Sequence, residues 1–228
     1  MITIKNGRAR RILKYAVPLA VIPLVVVLTS YLFRERHYAA VSLFVTLLVL
    51  VLFISGIEKK KTGSRRLVIT AVMTALSVVG RFIPVFKPVT AMCIISGVYI
   101  CPEAGFTVGA LTALLSDFYF GQGPWTPFQM MAWGLIGYFA GLLSSAFQKH
   151  RALILAYGTL SGVLYSALMD IWTVLWYSGS FSLSLYAAAA VTALPHTISY
   201  AVSNVVFLLV LQKPFGEKLT RIRIKYGL

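Results

Sequence analysis

Five ionisable side chains lie inside or at the edges of long apolar runs: Arg81, Lys87, Asp117, Asp170 and His196. A charge at mid-bilayer costs at least ~2.5–3.5 kcal/mol, so an embedded acid or base is retained when it is paired or when it lines a polar cavity. Asp117 or Asp170 facing Arg81 or Lys87 would give a structural ion pair. The same groups around a cavity open to one side would offer charge and hydrogen bonds to a solute. His196 follows Pro195, a residue that interrupts helical hydrogen bonding and kinks the chain. Either carboxylate, as a proton carrier, would also serve a stand-alone secondary transporter.

Nothing beside these residues makes or breaks bonds. The chain has no HExxH, GxSxG or GxxxxGK[ST] run. Cys93 and Cys101 lie eight apart in an apolar segment and form no metal-ligand cluster. The chemistry on offer is therefore binding, not catalysis, and no cofactor or metal of the chain's own is expected.

The segment Phe118-Tyr119-Phe120-Gly121-Gln122-Gly123-Pro124-Trp125-Thr126-Pro127-Phe128-Gln129 concentrates the rest. Two glycines and two prolines within seven residues predict a non-helical connection. Aromatics on both sides fit an interfacial belt. With the neutral groups of Gln122, Thr126 and Gln129 they also fit a flat, polar-edged organic ligand better than a bare ion. Trp172, Trp176 and Tyr177 end a later apolar run at the same level.

These residues need elements that cross a membrane. Hydrophobic residues make up 59% of the 228, and charged residues only 12%, which excludes an ordinary soluble enzyme and a disordered chain. Apolar runs occupy Ala16–Phe33, Tyr38–Ile57, Leu67–Phe86, Pro88–Phe120 with a break at Pro102-Glu103, Thr126–Phe147, Ala152–Tyr177 and Tyr186–Leu211. Together they predict eight spans of an all-α polytopic membrane protein. The net charge of +15 could suit a nucleic-acid binder. However, 17 of the 21 basic residues flank alternate ends of the spans. That is the positive-inside pattern, with both termini cytoplasmic and no nucleic-acid partner. Arg34, Arg36, Arg81 and Lys87 remain on the outer side. Arg34-Glu35-Arg36 does not read as a small-residue cleavage site, so the first span is expected to be retained.

The chain is expected to divide at 1–61, a basic N-terminus with two hydrophobic helices; at 62–212, a six-helix core; and at 213–228, a basic tail. The core holds nearly all the glycines, the four Trp residues and both intramembrane Asp residues. Small residues recur there at helical spacing: Ala71 and Ala75; Gly105, Gly109 and Ala113; Gly134, Gly137 and Gly141. Such stripes let helices approach closely in lipid, either within one chain or against another membrane protein.

From Arg65 to Leu211, the six-span core resembles an S component, the substrate-binding membrane subunit of energy-coupling factor (ECF) vitamin transporters. The residues carrying the resemblance are Ala71-xxx-Ala75, Lys87-Pro88-Val89-Thr90-Ala91, Pro102-Glu103-Ala104-Gly105 and the run from Phe120 to Gln129. The first two spans depart from the usual six-helix pattern. The resemblance implies a multi-pass protein of the bacterial cell membrane that captures a vitamin from outside. It then docks on a transmembrane coupling protein (EcfT-type) driven by two ATPase subunits, and topples to release the vitamin inside. ATP is used only on those partners. Ala71 and Ala75 would meet the coupling protein. The substrate-binding residues would be Arg81, Lys87, Asp117, Tyr119, Gln122, Trp125, Gln129, Trp133, Asp170, Trp176, His196 and Tyr200. The subgroup it resembles is the cobalamin or corrinoid one, with riboflavin, pantothenate and folate as alternatives. His196 would hydrogen-bond the vitamin or, for a corrinoid, ligate its cobalt.

Overall fold

The computed structural model of the chain describes residues 7–33, 37–57 and 60–226. Lys5, Arg34, Glu35, Arg36, Glu58 and Lys59, which entered the charge reading, lie outside the described residues, as do the side chains of Lys60 and Lys61. Helix α1 (Gly7–Ala16) passes through a π-helical turn (Val17–Val21) into α2 (Ile22–Phe33). Then follow α3 (Tyr38–Ser55), α4 (Lys60–Gly80), α5 (Val89–Tyr99), α6 (Pro102–Phe120), α7 (Thr126–Leu142), α8 (Ser144–Lys149), α9 (Arg151–Ser178) and α10 (Leu183–Tyr226). No strand occurs among the described residues.

Local chemistry sets the boundaries. Pro102 opens α6 at a position where a missing N–H costs nothing. Gly121, at φ +103°, ends it in a conformation that a side chain would disfavour. The left-handed Gly179 closes α9. The run expected to reach Phe86 stops at Gly80, because Pro84 and Pro88 forbid continuation and residues 81–88 form a loop.

Five helical segments among the described residues are long and apolar enough to cross a membrane: Gly7–Thr29, Tyr38–Ser55, Gly63–Gly80, Arg151–Ser178 and Leu183–Tyr226. Of the other three expected spans, α5 has 11 residues and α7 has 17. Helix α6 has the length but a lower hydropathy. These are the innermost helices, and ten of the eleven α5 residues are buried. Protein rather than lipid covers them, so their faces need not be uniformly apolar.

Glycine makes the centre close-packed. A Cβ placed on Gly105 would fall on the Gly137 carbonyl, and one on Gly137 would fall on the Gly105 carbonyl. Gly109 lies equally close to the Trp133 backbone, and Gly141 to Pro102. The glycine stripes of α6 and α7 therefore pack these helices on one another.

The two N-terminal hydrophobic helices join the same core. Val17, Ile22, Val26, Val45, Val49 and Leu52 cluster with Met92, Phe106 and Tyr138. Pro18 has no N–H to offer the Lys14 carbonyl, and the Tyr138 hydroxyl donates to that carbonyl instead, at 2.6 Å. The Lys14 ammonium pairs with the buried Glu103 carboxylate at 2.9 Å. Glu103 stands in the first turn of α6, where the helix dipole also favours an anion.

Helix α10 has 44 residues and spans about 66 Å at ~1.5 Å per residue, twice the ~30 Å of a bilayer core. The apolar run ends at Leu211, but the helix continues to Tyr226 because Gln212, Gly216 and Leu219 keep a buried stripe at helical spacing. The Arg65 guanidinium lies 4.4 Å from the Tyr226 ring centroid, so this extension reaches the start of α4.

Candidate functional site

Arg81 emerges from the end of α4 with its side chain turned inward, 9% exposed. Its Nη1 donates to Asp117 Oδ1 and to Ser116 Oγ, both at 2.5 Å, and Nη2 donates weakly to Gln129 Oε1 at 3.3 Å. The Thr126 hydroxyl donates to the other Asp117 oxygen, Oδ2, at 2.7 Å. Asp117 is fully buried, so α4, α6 and the start of α7 are tied together by a charge that needs every one of these partners. The planar guanidinium suits this role because it can reach three acceptors at once.

Aromatic rings frame the network. The guanidinium carbon lies 5.1 Å from the Phe120 ring centroid and 5.2 Å from that of Trp133. Trp133 stacks on Tyr165 of α9, with centroids 4.9 Å apart and planes 9° from parallel. Tyr165 meets Tyr200 of α10 edge to face at 5.2 Å. A second aromatic row, Trp125, Trp172 and Trp176, joins the α6–α7 connection to the outer end of α9, with successive centroids 6.0 Å apart. The Lys87 ammonium lies 5.5 Å from the Phe120 ring, and the Lys87 carbonyl accepts from Ser203 of α10. Burial, with the nearby Arg81 charge second, holds the Lys87 ammonium below its usual pKa.

The sequence-expected residues thus separate into two groups. Arg81, Asp117, Gln129 and Trp133 meet directly. Lys87 joins them through Phe120 and Tyr200 through Tyr165, while Trp125 and Trp176 meet Trp172 in the separate aromatic row. The others stand apart. Gln122 donates to the Leu114 carbonyl at 2.8 Å and so closes the end of α6. Tyr119 is 72% exposed and packs on Phe82 and Phe120. His196 is exposed on α10. Asp170 is buried on α9, and no hydrogen bond or ion pair among the described residues engages it. Sequence reasoning missed Ser116 and Tyr165. Ser116 precedes Asp117, but nothing in the order of residues distinguishes Tyr165 from the other tyrosines.

Ala71 and Ala75 are exposed on the outer face of α4. They line an apolar groove of about 220 Å³, with Leu50 and Phe53 of α3 on its far side and Thr107 and Leu111 of α6 at its floor.

A buried ionic centre, stacked rings and the loops beside them are the features of a binding site. Among the described residues no group of three or more acidic, His or Cys side chains could hold a metal ion. No curated protein and no solved structure matches the chain. One family does, over residues 61–221, which is most of the chain and includes every helix that builds the cluster. The match supports the S-component resemblance and does not single out the corrinoid subgroup. The chain is a multi-pass membrane transport subunit and belongs to the family of ECF-type riboflavin transporter S components.

Proposed function

We propose that the chain captures a flat, polar-edged vitamin at the outer ends of α4, α6, α7, α9 and α10, with riboflavin as the substrate, and delivers it inward by docking on an ATP-driven coupling module. The observation that carries this reading is the Arg81–Asp117–Gln129 network lying against the stacked Trp133–Tyr165 pair. A flavin presents a planar three-ring face to aromatic side chains, and carbonyl and imide edges to Arg and Gln groups. The family name adds riboflavin to that chemistry. The corrinoid expectation gains no comparable support, since His196, the imidazole that would reach a cobalt, is exposed on α10.

Docking would use the exposed Ala71 and Ala75, whose small side chains admit a partner helix to short range. The transmembrane coupling protein and two ATPase subunits are then separate chains, and ATP acts only on them. Substrate identity is tested by titrating the detergent-purified chain with riboflavin and with cobalamin in parallel. Saturable quenching of flavin fluorescence is expected, because stacked aromatic rings would hold the ligand. Binding of cobalamin without binding of riboflavin would overturn the assignment.

A further inference from the structure

Where α10 leaves the apolar span, a cavity of about 460 Å³ opens between it, the end of α5 and the start of α9. It is lined by Tyr99, Arg151, Gln212, Lys213, Glu217 and Arg221, together with Gly216 and Thr220. Three cations face one carboxylate, and no ion pair among the described residues joins Lys213 or Arg221 to Glu217.

The cavity is built rather than incidental. Pro214 cannot donate to the Val210 carbonyl, which leaves that carbonyl without its helical partner beside the cavity. The Arg151 guanidinium is held in place by donating to the adjacent Leu209 carbonyl at 3.0 Å. Gly216 lets α10 lie on Tyr99, because a Cβ there would come 2.6 Å from the ring. Gln212, 8% exposed, donates to the Tyr99 hydroxyl at 3.4 Å and places neutral polar groups at the floor.

We infer that this cavity holds the phosphate-bearing head group of an anionic lipid of the cytoplasmic leaflet. Guanidinium and ammonium groups around neutral hydrogen-bonding groups are the chemistry that recognises a phosphate ester. The apolar run of α10 ends at Leu211, which puts the cavity at head-group depth, where cytoplasmic basic pockets meet anionic lipid. Positive-inside charge alone would scatter cations over this face; here they surround one concavity. The inference does not depend on which vitamin the outer site takes.

The test is native mass spectrometry of the full chain released from nanodiscs of equal phosphatidylglycerol and phosphatidylcholine. The unaltered chain should retain phosphatidylglycerol in preference. Lys213→Gln with Arg221→Gln should cut that retention on the order of tenfold. Lys149→Gln, which removes a cytoplasmic cation outside the cavity, should leave it unchanged. Thr220→Glu, an exposed helical position, should also cut it without altering the thermal melt, which separates lost binding from lost folding. Equal retention of both lipids, or undiminished retention in the double and Thr220 variants, would overturn the inference. Displacement of the lipid by millimolar inorganic phosphate would show that the site takes free anions, and would overturn the lipid assignment.

Discussion

Arg81 carries two loads at once. It neutralises a fully buried Asp117, and it presents a guanidinium to the rings that would hold a ligand. Arg81→Ala strands a buried carboxylate, which should cost roughly 3–5 kcal/mol of stability as well as abolish binding. Arg81→Lys keeps the charge but cannot reach Ser116, Asp117 and Gln129 together. It should lose most of the affinity while remaining folded enough to purify; thermal melts and titrations on the same samples separate the two effects. Lys87 gives a pH signature. Its ammonium titrates below 10.5 in the folded chain, because burial and then Arg81 disfavour the charge. Between the folded pKa and 10.5 the unfolded chain binds more protons, so folded-state stability rises with pH through that window. Lys87→Met should flatten this rise in melting temperatures measured across alkaline pH. Arg81, Asp117 and Gln129 were legible in the sequence because polar groups inside apolar runs need a reason to be there. Ser116 and Tyr165 were not, because Ser and Tyr are tolerated widely in membrane helices and only the fold brings these two to the cluster.

At the scale of elements, the α6–α7 contact is the most exacting. Gly137→Leu would drive a side chain into the Gly105 backbone, which cannot yield, and should separate the helices. Loss of a monodisperse peak in size-exclusion chromatography would report this, whereas Leu142→Ala on the exposed end of the same helix should be silent. The Lys14–Glu103 pair ties α1 to α6, and Lys14→Met leaves Glu103 buried without a cation. That change should lower the melting temperature and expose the N-terminal helices to limited proteolysis. Apolar runs and glycine or proline breaks located most of these helices in the sequence. Two features escaped that reading. Helix α5 is short because protein, not lipid, sets its length, and α10 runs past its apolar segment because a sparse buried stripe continues it. Hydropathy alone carries neither signal.

At the scale of the whole molecule, outer and cytoplasmic ends do different work. Charged and aromatic groups gather at the outer ends of the helices, the Ala71–Ala75 face lies open on α4, and most basic residues mark the inner side. The expected orientation rests on basic residues that alternate between the ends of successive spans. The groove between α3 and α4 was not, since it depends on where the extra helix α3 packs. Ala71→Trp fills that groove from its α4 wall. It should block transport through a coupling module while leaving vitamin affinity in detergent unchanged; equal loss of both would make the face a packing surface only.

Vitamin uptake in proteoliposomes distinguishes capture by this chain with energy from another chain from transport by this chain alone. Uptake is expected only when the chain is reconstituted with a coupling module and ATP, and none from a pH gradient acting on the chain alone. Uptake by the chain alone, driven by that gradient and lost in Asp117→Asn or Asp170→Asn, would contradict it.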